Sequence, residues 1–309
     1  MRKARGRLSA AAGVALVATL SLAACQPTPS GKPLVVASFY PLYEFSRQVA
    51  GARAEVKSLV PPGVEPHDWE PSPQDVAEVQ RARLFVYNGA GFEQSADRLL
   101  AQLEGKATVV VNSTGAIELL RAAPAHQDHA RGSTATDPHV WLDPVLAQSQ
   151  VEAIRAGLER MDPAGKSEYE ANARRFTGEL AALHTAFEAG LRDCAQRTLI
   201  VSHAAFTYLA KRYRLTPIPV MGVTPEAEPS PADLAAVVRV ARREKARYVF
   251  FETLVSPRLA ETLAREVGAR TLVLNPVEGL TKEEAAAGKD YLALMRENLA
   301  NLRTGLDCR

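Results

Sequence analysis

Short apolar runs rich in β-branched residues alternate with longer, helix-like stretches along most of the chain. The runs are Leu34–Phe39, Val56–Val60, Leu84–Asn88 and Thr108–Asn112, then Thr198–Ser202, Ile218–Gly222, Tyr248–Glu252 and Thr271–Asn275. Four precede a gap and four follow it. Strands alternating with helices predict an α/β chain of two lobes, each with a four-stranded parallel sheet flanked by helices. The gap holds Ser167–Asp193, where Phe176, Leu180, Leu183, Phe187 and Leu191 recur at steps of three and four between charged residues. That spacing predicts one amphipathic helix, roughly 40 Å long at 1.5 Å per residue. Midway between two equal sets of strands, it reads as a rigid strut that limits hinge closure. The expected division is a lobe over 33–162, a linking helix over 163–193 and a second lobe over 194–309.

An internal echo supports two equivalent lobes. Glu70-Pro71-Ser72-Pro73-Gln74-Asp75 follows the second strand of the first half, and Glu228-Pro229-Ser230-Pro231-Ala232-Asp233 follows the second strand of the second. Each reads as a helix start, with serine at the cap, proline at the first helical position and aspartate completing a capping box. The echo places the loop bearing His67 opposite the loop bearing Glu226 and Glu228.

The N-terminus departs from this pattern. Arg2, Lys3, Arg5 and Arg7 precede an acid-free apolar run from Leu8 to Ala24 that ends beside Cys25. The run is short for a bilayer span, and residues 1–24 read as a lipoprotein export signal with Cys25 as the lipid-attachment site. Residues 25–32 then form a lipid-anchored tether. Processing would remove four of the 37 basic side chains and none of the 35 acidic ones, leaving a net charge near −2. Nucleic acid is therefore not an expected partner. Cys194 and Cys308 remain in a compartment that permits oxidation, and a disulfide between them would fasten the C-terminal tail.

In open parallel sheets, ligands bind beyond the carboxyl ends of the strands. His67, in Pro66-His67-Asp68, follows the second strand, and His203, in Ser202-His203-Ala204, follows the fifth. Glu278 lies three residues past the eighth strand. His139, in Asp137-Pro138-His139-Val140-Trp141, follows the fourth strand and a longer insertion, before a helix that Asp143 can cap and Pro144 can open. Each half thus offers two ligands on loops facing a common cleft. Three imidazoles and one carboxylate suit Zn(II), whereas Mn(II) would favour more carboxylates. His126 and His129 lie in a polar stretch that could act as an accessory metal-collecting loop, and His184 reads as an ordinary residue of the long helix. Asn88-Gly89-Ala90-Gly91 lacks the rest of a phosphate-binding motif and reads as a tight turn. HExxH, GxSxG and CxxC are absent, so the chain is not read as an enzyme, although Glu65, Asp68 and Glu226 are candidate bases for a metallohydrolase.

The segments around His67, His139 and His203, with Asn275-Pro276-Val277-Glu278-Gly279-Leu280 and Tyr291–Leu299, resemble the zinc/manganese solute-binding lipoproteins of bacterial ABC importers. The resemblance spans nearly the whole mature chain. It implies two lobes on a rigid linking helix, an interlobe metal site and delivery to a permease powered by a separate cytoplasmic ATPase. A histidine at the third ligand, His203 here, resembles the zinc-type branch, while manganese-type members tend to carry glutamate there. For the fourth ligand, zinc-type relatives use an aspartate, which falls at Asn275, or a glutamate, which matches Glu278; Glu278 is the expected ligand. The long histidine-rich loop of some relatives is reduced to His126 and His129. The expected protein is a monomer on the outer face of the cell membrane or in the periplasm, carrying Zn(II). Manganese carriage and a surface adhesin on the same fold are the alternatives.

Overall fold

The computed structural model describes residues 31–121, 136–224 and 230–309. Cys25, His126, His129, Glu226 and Glu228 lie outside them. The first lobe runs β1 (Leu34–Ala37), α1 (Tyr40–Ala50), β2 (Glu55–Ser58), α2 (Pro73–Arg81), β3 (Leu84–Tyr87), α3 (Ala96–Ala101), β4 (Val109–Asn112) and α4 (Pro144–Met161). After α5 (Lys166–Gly190), the second lobe runs β5 (Thr198–Val201), α6 (Thr207–Tyr213), β6 (Thr216–Pro219), α7 (Pro231–Arg243), β7 (Tyr248–Phe251), α8 (Arg258–Val267), β8 (Arg270–Val273), α9 (Lys282–Ala286) and α10 (Tyr291–Gly305). All strand pairs are parallel, ordered β2-β1-β3-β4 in one sheet and β6-β5-β7-β8 in the other. The same winding occurs twice, so the loops after β2, β5 and β8 all leave the carboxyl ends of their sheets. Among the described residues no helix is long and apolar enough to cross a membrane.

The echoed helix starts have the same construction. Ser72 Oγ accepts the Asp75 amide while the Asp75 carboxylate accepts the Ser72 amide, and Ser230 and Asp233 repeat both bonds. Strand β6 lies about two residues earlier than its apolar run suggests. It is an edge strand paired only with β5; the Thr216 amide donates to the Arg197 carbonyl just ahead of β5 and the Val220 amide to the Val201 carbonyl within it. Pro217 and Pro219 alternate with those donors, so their missing N–H groups fall on the unpaired side, where an edge tolerates proline.

Helix α5 buries Tyr169, Ala173, Phe176, Leu180, Leu183 and Phe187, the stripe its periodicity predicts, against α1, α4 and α10. Each such apolar side chain contributes about 1.5–3 kcal/mol. One continuous core therefore runs through both lobes. The helix reaches from the amino-terminal end of one sheet to that of the other. At its start, Tyr169 donates to Asp162, which also takes Arg53 from the α1–β2 connection. At its end, Arg197, just ahead of β5, donates to the Leu191 and Arg192 carbonyls. The helix ends at Gly190, three residues short of the sequence expectation, with the Leu191 amide closing its last turn on the Phe187 carbonyl. Cys194 and Cys308 are joined by a disulfide and also face each other in an isolated antiparallel bridge.

Hydrogen bonds also join the lobes directly. Trp141 Nε1 donates to the Pro276 carbonyl at 2.7 Å, Tyr291 Oη to the Trp141 carbonyl at 2.5 Å and the Gly63 amide to the Leu280 carbonyl at 2.7 Å. Trp141 and Tyr291 are wholly buried.

Candidate metal centre

Each proposed donor is aimed by its own local structure. His139 precedes a single 3-10 turn, Val140–Leu142, and Asp143 caps α4 by accepting the Val145 amide. Asp137 folds back on this segment, accepting both the His139 amide at 2.9 Å and Nδ1 at 2.8 Å. His203 leaves β5, and its Nδ1 lies 2.6 Å from Glu252 Oε1 at the end of the neighbouring β7. An ionised carboxylate only accepts, so both rings carry hydrogen on Nδ1 and turn Nε2 inward as the atom left for a metal once its own proton is displaced. The Glu65 carboxylate accepts the His67 amide, Gln94 donates to the His67 carbonyl, and Phe92 packs edge-on against the ring.

Glu278 follows a tight bend. Asn298 of α10 donates to the Asn275 carbonyl and accepts its amide, while Asn275 Oδ1 accepts the Val277 amide at 2.7 Å. Val277 has φ +57°, which costs a β-branched residue of order 1–3 kcal/mol. Asn275 Nδ2 donates to Thr253, so the side chain of Asn275 is spent on holding the bend. The bend turns Glu278 inward, and Asn275 does not join the cluster.

His67, His139, His203 and Glu278 converge, each at most 3% exposed, with their donor atoms all within 4.8 Å of one another. His139 Nε2 lies 3.4 Å from His67 Nε2 and 3.3 Å from His203 Nε2. Glu278 Oε1 lies 3.4, 3.1 and 3.4 Å from Nε2 of His67, His139 and His203. A tetrahedral ion with bonds of about 2.05 Å has ligand–ligand edges of about 3.3 Å. These five separations match a shell around one cation. The nitrogen-rich donor set favours zinc.

The electrostatics fit a cation as well. Neither carboxylate oxygen of Glu278 has a hydrogen-bond partner, because the ring nitrogens approach Oε1 at ion-pair distance without hydrogen-bond alignment. A buried, unsatisfied carboxylate is costly unless a positive charge faces it. Burial pushes the Glu278 carboxyl up, but His67, His139 and His203 together hold it well below the usual carboxylate range. Burial depresses His203, yet Glu252 and Glu278 carry it well above the usual imidazole range; Asp137 and Glu278 likewise raise His139 against its burial. Glu65 is pushed up to about 9 by burial and by the negative charge of Glu278.

Asp137 and Glu252 were not recognised as functional in the sequence. Asp137 had a local signal, an acid two residues before a candidate ligand, whereas Glu252 is brought to His203 only by sheet pairing. The remaining candidates lie apart from the cluster. His184 lies 3.1 Å from Tyr213 Oη and 3.5 Å from Glu188, and Glu70 pairs with Arg98. In the Asn88–Gly91 turn, the Glu93 carboxylate accepts the Asn88 and Gly89 amides, occupying donors that a phosphate would need.

The ZnuA family, described as zinc-uptake complex component A, periplasmic, matches residues 35–305. The chain belongs to the ZnuA family. A relative within it, the high-affinity zinc uptake system protein ZnuA of Bacillus subtilis, is 40% identical over 280 residues, covering 88% of this chain and 87% of that protein. The zinc-binding lipoprotein AdcA of Streptococcus pneumoniae is 40% identical over 301 residues, which are 95% of this chain but only 60% of AdcA. The Zn(II)-bound ZnuA-like domain of that AdcA has a TM-score of 0.78 at 40% identity, covering 90% of this chain and 100% of the domain. The laminin-binding protein Lmb of Streptococcus agalactiae, described as bifunctional with adhesin and metal-transporting activity, has a TM-score of 0.79 at 31% identity, covering 89% of this chain and 99% of Lmb. This ZnuA-family chain thus shares its two-lobed architecture with zinc-bound relatives.

Proposed function

We propose that this protein captures Zn(II) outside the cytoplasm, with His67, His139, His203 and Glu278 as ligands, and delivers it to an ABC permease coupled to a cytoplasmic ATPase. A lipid on Cys25 tethers it to the membrane, and it works as a monomer. The observation carrying this reading is the buried convergence of three ring nitrogens on an unsatisfied carboxylate, at separations that suit one bound cation such as zinc. Four protein donors fill a tetrahedral zinc shell and leave no position for a reactive water, which suits carriage.

Competition titration of Zn(II) and Mn(II) against chelators of known affinity tests this reading. The wild type is expected to prefer zinc. His139→Ala should weaken zinc by more than the roughly 10–100-fold typical of outer-shell changes, with the far-ultraviolet circular dichroism unchanged. Unaltered zinc affinity in His139→Ala removes that residue from the site, and preference for Mn(II) reassigns the cargo.

A further inference from the structure

We infer that Tyr208 and Arg212 on α6 form a two-point clamp that sets the interlobe spacing of the metal ligands and thereby contributes to metal selectivity. The inference rests on the ligand set proposed above. Helix α6 begins four residues after His203, so its position is tied to that ligand. Tyr208 and Arg212 stand one turn apart on it and share a face. The buried Tyr208 hydroxyl accepts the Leu120 amide at 2.9 Å and donates to the Asp137 carbonyl at 2.8 Å. Asp137 is the residue that orients His139. Arg212 grips the other end of the same segment: Nε lies 3.1 and 2.8 Å from the two carboxylate oxygens of Asp143, and Nη2 lies 2.8 Å from Oδ2. One helix of the second lobe thus holds the first-lobe segment 137–143 on both sides of His139.

The chemical consequence follows from the burial of the cluster. His139 and His203 are 0% exposed, and their Nε2 atoms are 3.3 Å apart across the lobe boundary. Zinc is satisfied by these four ligands, whereas a six-coordinate cation must admit two further donors to a cluster at most 3% exposed, and making room for them requires the buried ligand loops to move apart. A rigid clamp makes that expansion costly. Tyr208 and Arg212 touch no metal, so they are positioning residues.

The test measures Zn(II) and Mn(II) affinities of the full-length protein and of Tyr208→Phe, Arg212→Lys and the double variant, with the Co(II) absorption spectrum as a geometric readout. Tyr208→Phe keeps the ring and loses only the hydroxyl. Arg212→Lys keeps the charge and loses the bidentate fork. Each single change is expected to weaken zinc on the order of 10-fold, as for other outer-shell partners, and manganese less, narrowing the preference. The double variant should fall further than the product of the singles, because one grip still restrains the segment when the other is lost. Co(II) absorption should shift away from the tetrahedral pattern. A proportional loss for both metals with an unchanged Co(II) spectrum overturns the clamp in favour of plain structural support. Wild-type affinities in the double variant overturn it too. His139→Ala is run alongside, and normal zinc affinity there refutes the ligand set itself.

Discussion

Replacing Glu252 by glutamine tests the proposed site most stringently, because that carboxylate would act on a bound zinc ion in two opposing ways. It holds the His203 tautomer that presents Nε2 and makes the ring a better donor. It also strengthens the hold of His203 on a proton, which zinc must displace. Without a cation, His203 and His139 both titrate above the usual imidazole range while Glu278 stays ionised. Below those raised values the rings carry protons that a cation must displace. Affinity should then fall as pH drops through the raised values, by up to about tenfold or ~1.4 kcal/mol per unit for each proton displaced, and level off above them. Glu252→Gln keeps an oxygen to accept the Nδ1 hydrogen but removes the charge, and His203 moves back toward its ordinary range near ~6.5. At alkaline pH, where proton competition has vanished in both proteins, the variant should show the full outer-shell deficit of roughly 10–100-fold. Toward neutral pH the deficit should shrink, since only the wild type still displaces a proton from His203. Chelator competition between roughly pH 6 and 9, with calorimetry in buffers of different ionisation enthalpy, measures affinity and proton release together. A deficit that is constant with pH, or grows on acidification, refutes the argument.

Two further outcomes concern the scaffold. The Cys194–Cys308 disulfide closes a separation of 114 residues, so Cys194→Ser/Cys308→Ser should lose up to about 4–5 kcal/mol in urea denaturation. Zinc affinity should persist, because the bond lies at the amino-terminal end of the second sheet, away from the ligands; an unchanged denaturation midpoint would contradict the assignment. Gly157 of α4 faces β4 so closely that an added Cβ would lie 2.5 Å from Val111 Cγ2 and 3.2 Å from Leu84 Cδ1. Gly157→Ala should therefore cost about 1–3 kcal/mol through overpacking, despite alanine's better helix propensity. A gain in stability would show that the sheet yields.

Features governed by near neighbours were readable along the chain. The α5 stripe, the Ser72 and Ser230 capping boxes and the Asp143 cap depend on residues within a turn or two, so sequence spacing encodes them directly. The three histidines were conspicuous because each stands in a loop just after or near a strand end. What escaped depended on distant partners. Glu252 reaches His203 only through the pairing of β5 with β7, and β6 is shifted by which of its amides face β5.

By itself, then, the order of residues determined two similarly wound lobes, a stiff connection and the donors available at the cleft, since local periodicity, capping and donor type are properties of short segments. Tertiary structure alone decided that Glu252 orients His203, that Asn275 shapes a bend while Glu278 turns inward, and that α6 holds the His139 segment from the other lobe. Those outcomes depend on angstrom-scale distances between residues 23 to 71 positions apart, which only packing of the shared core brings together.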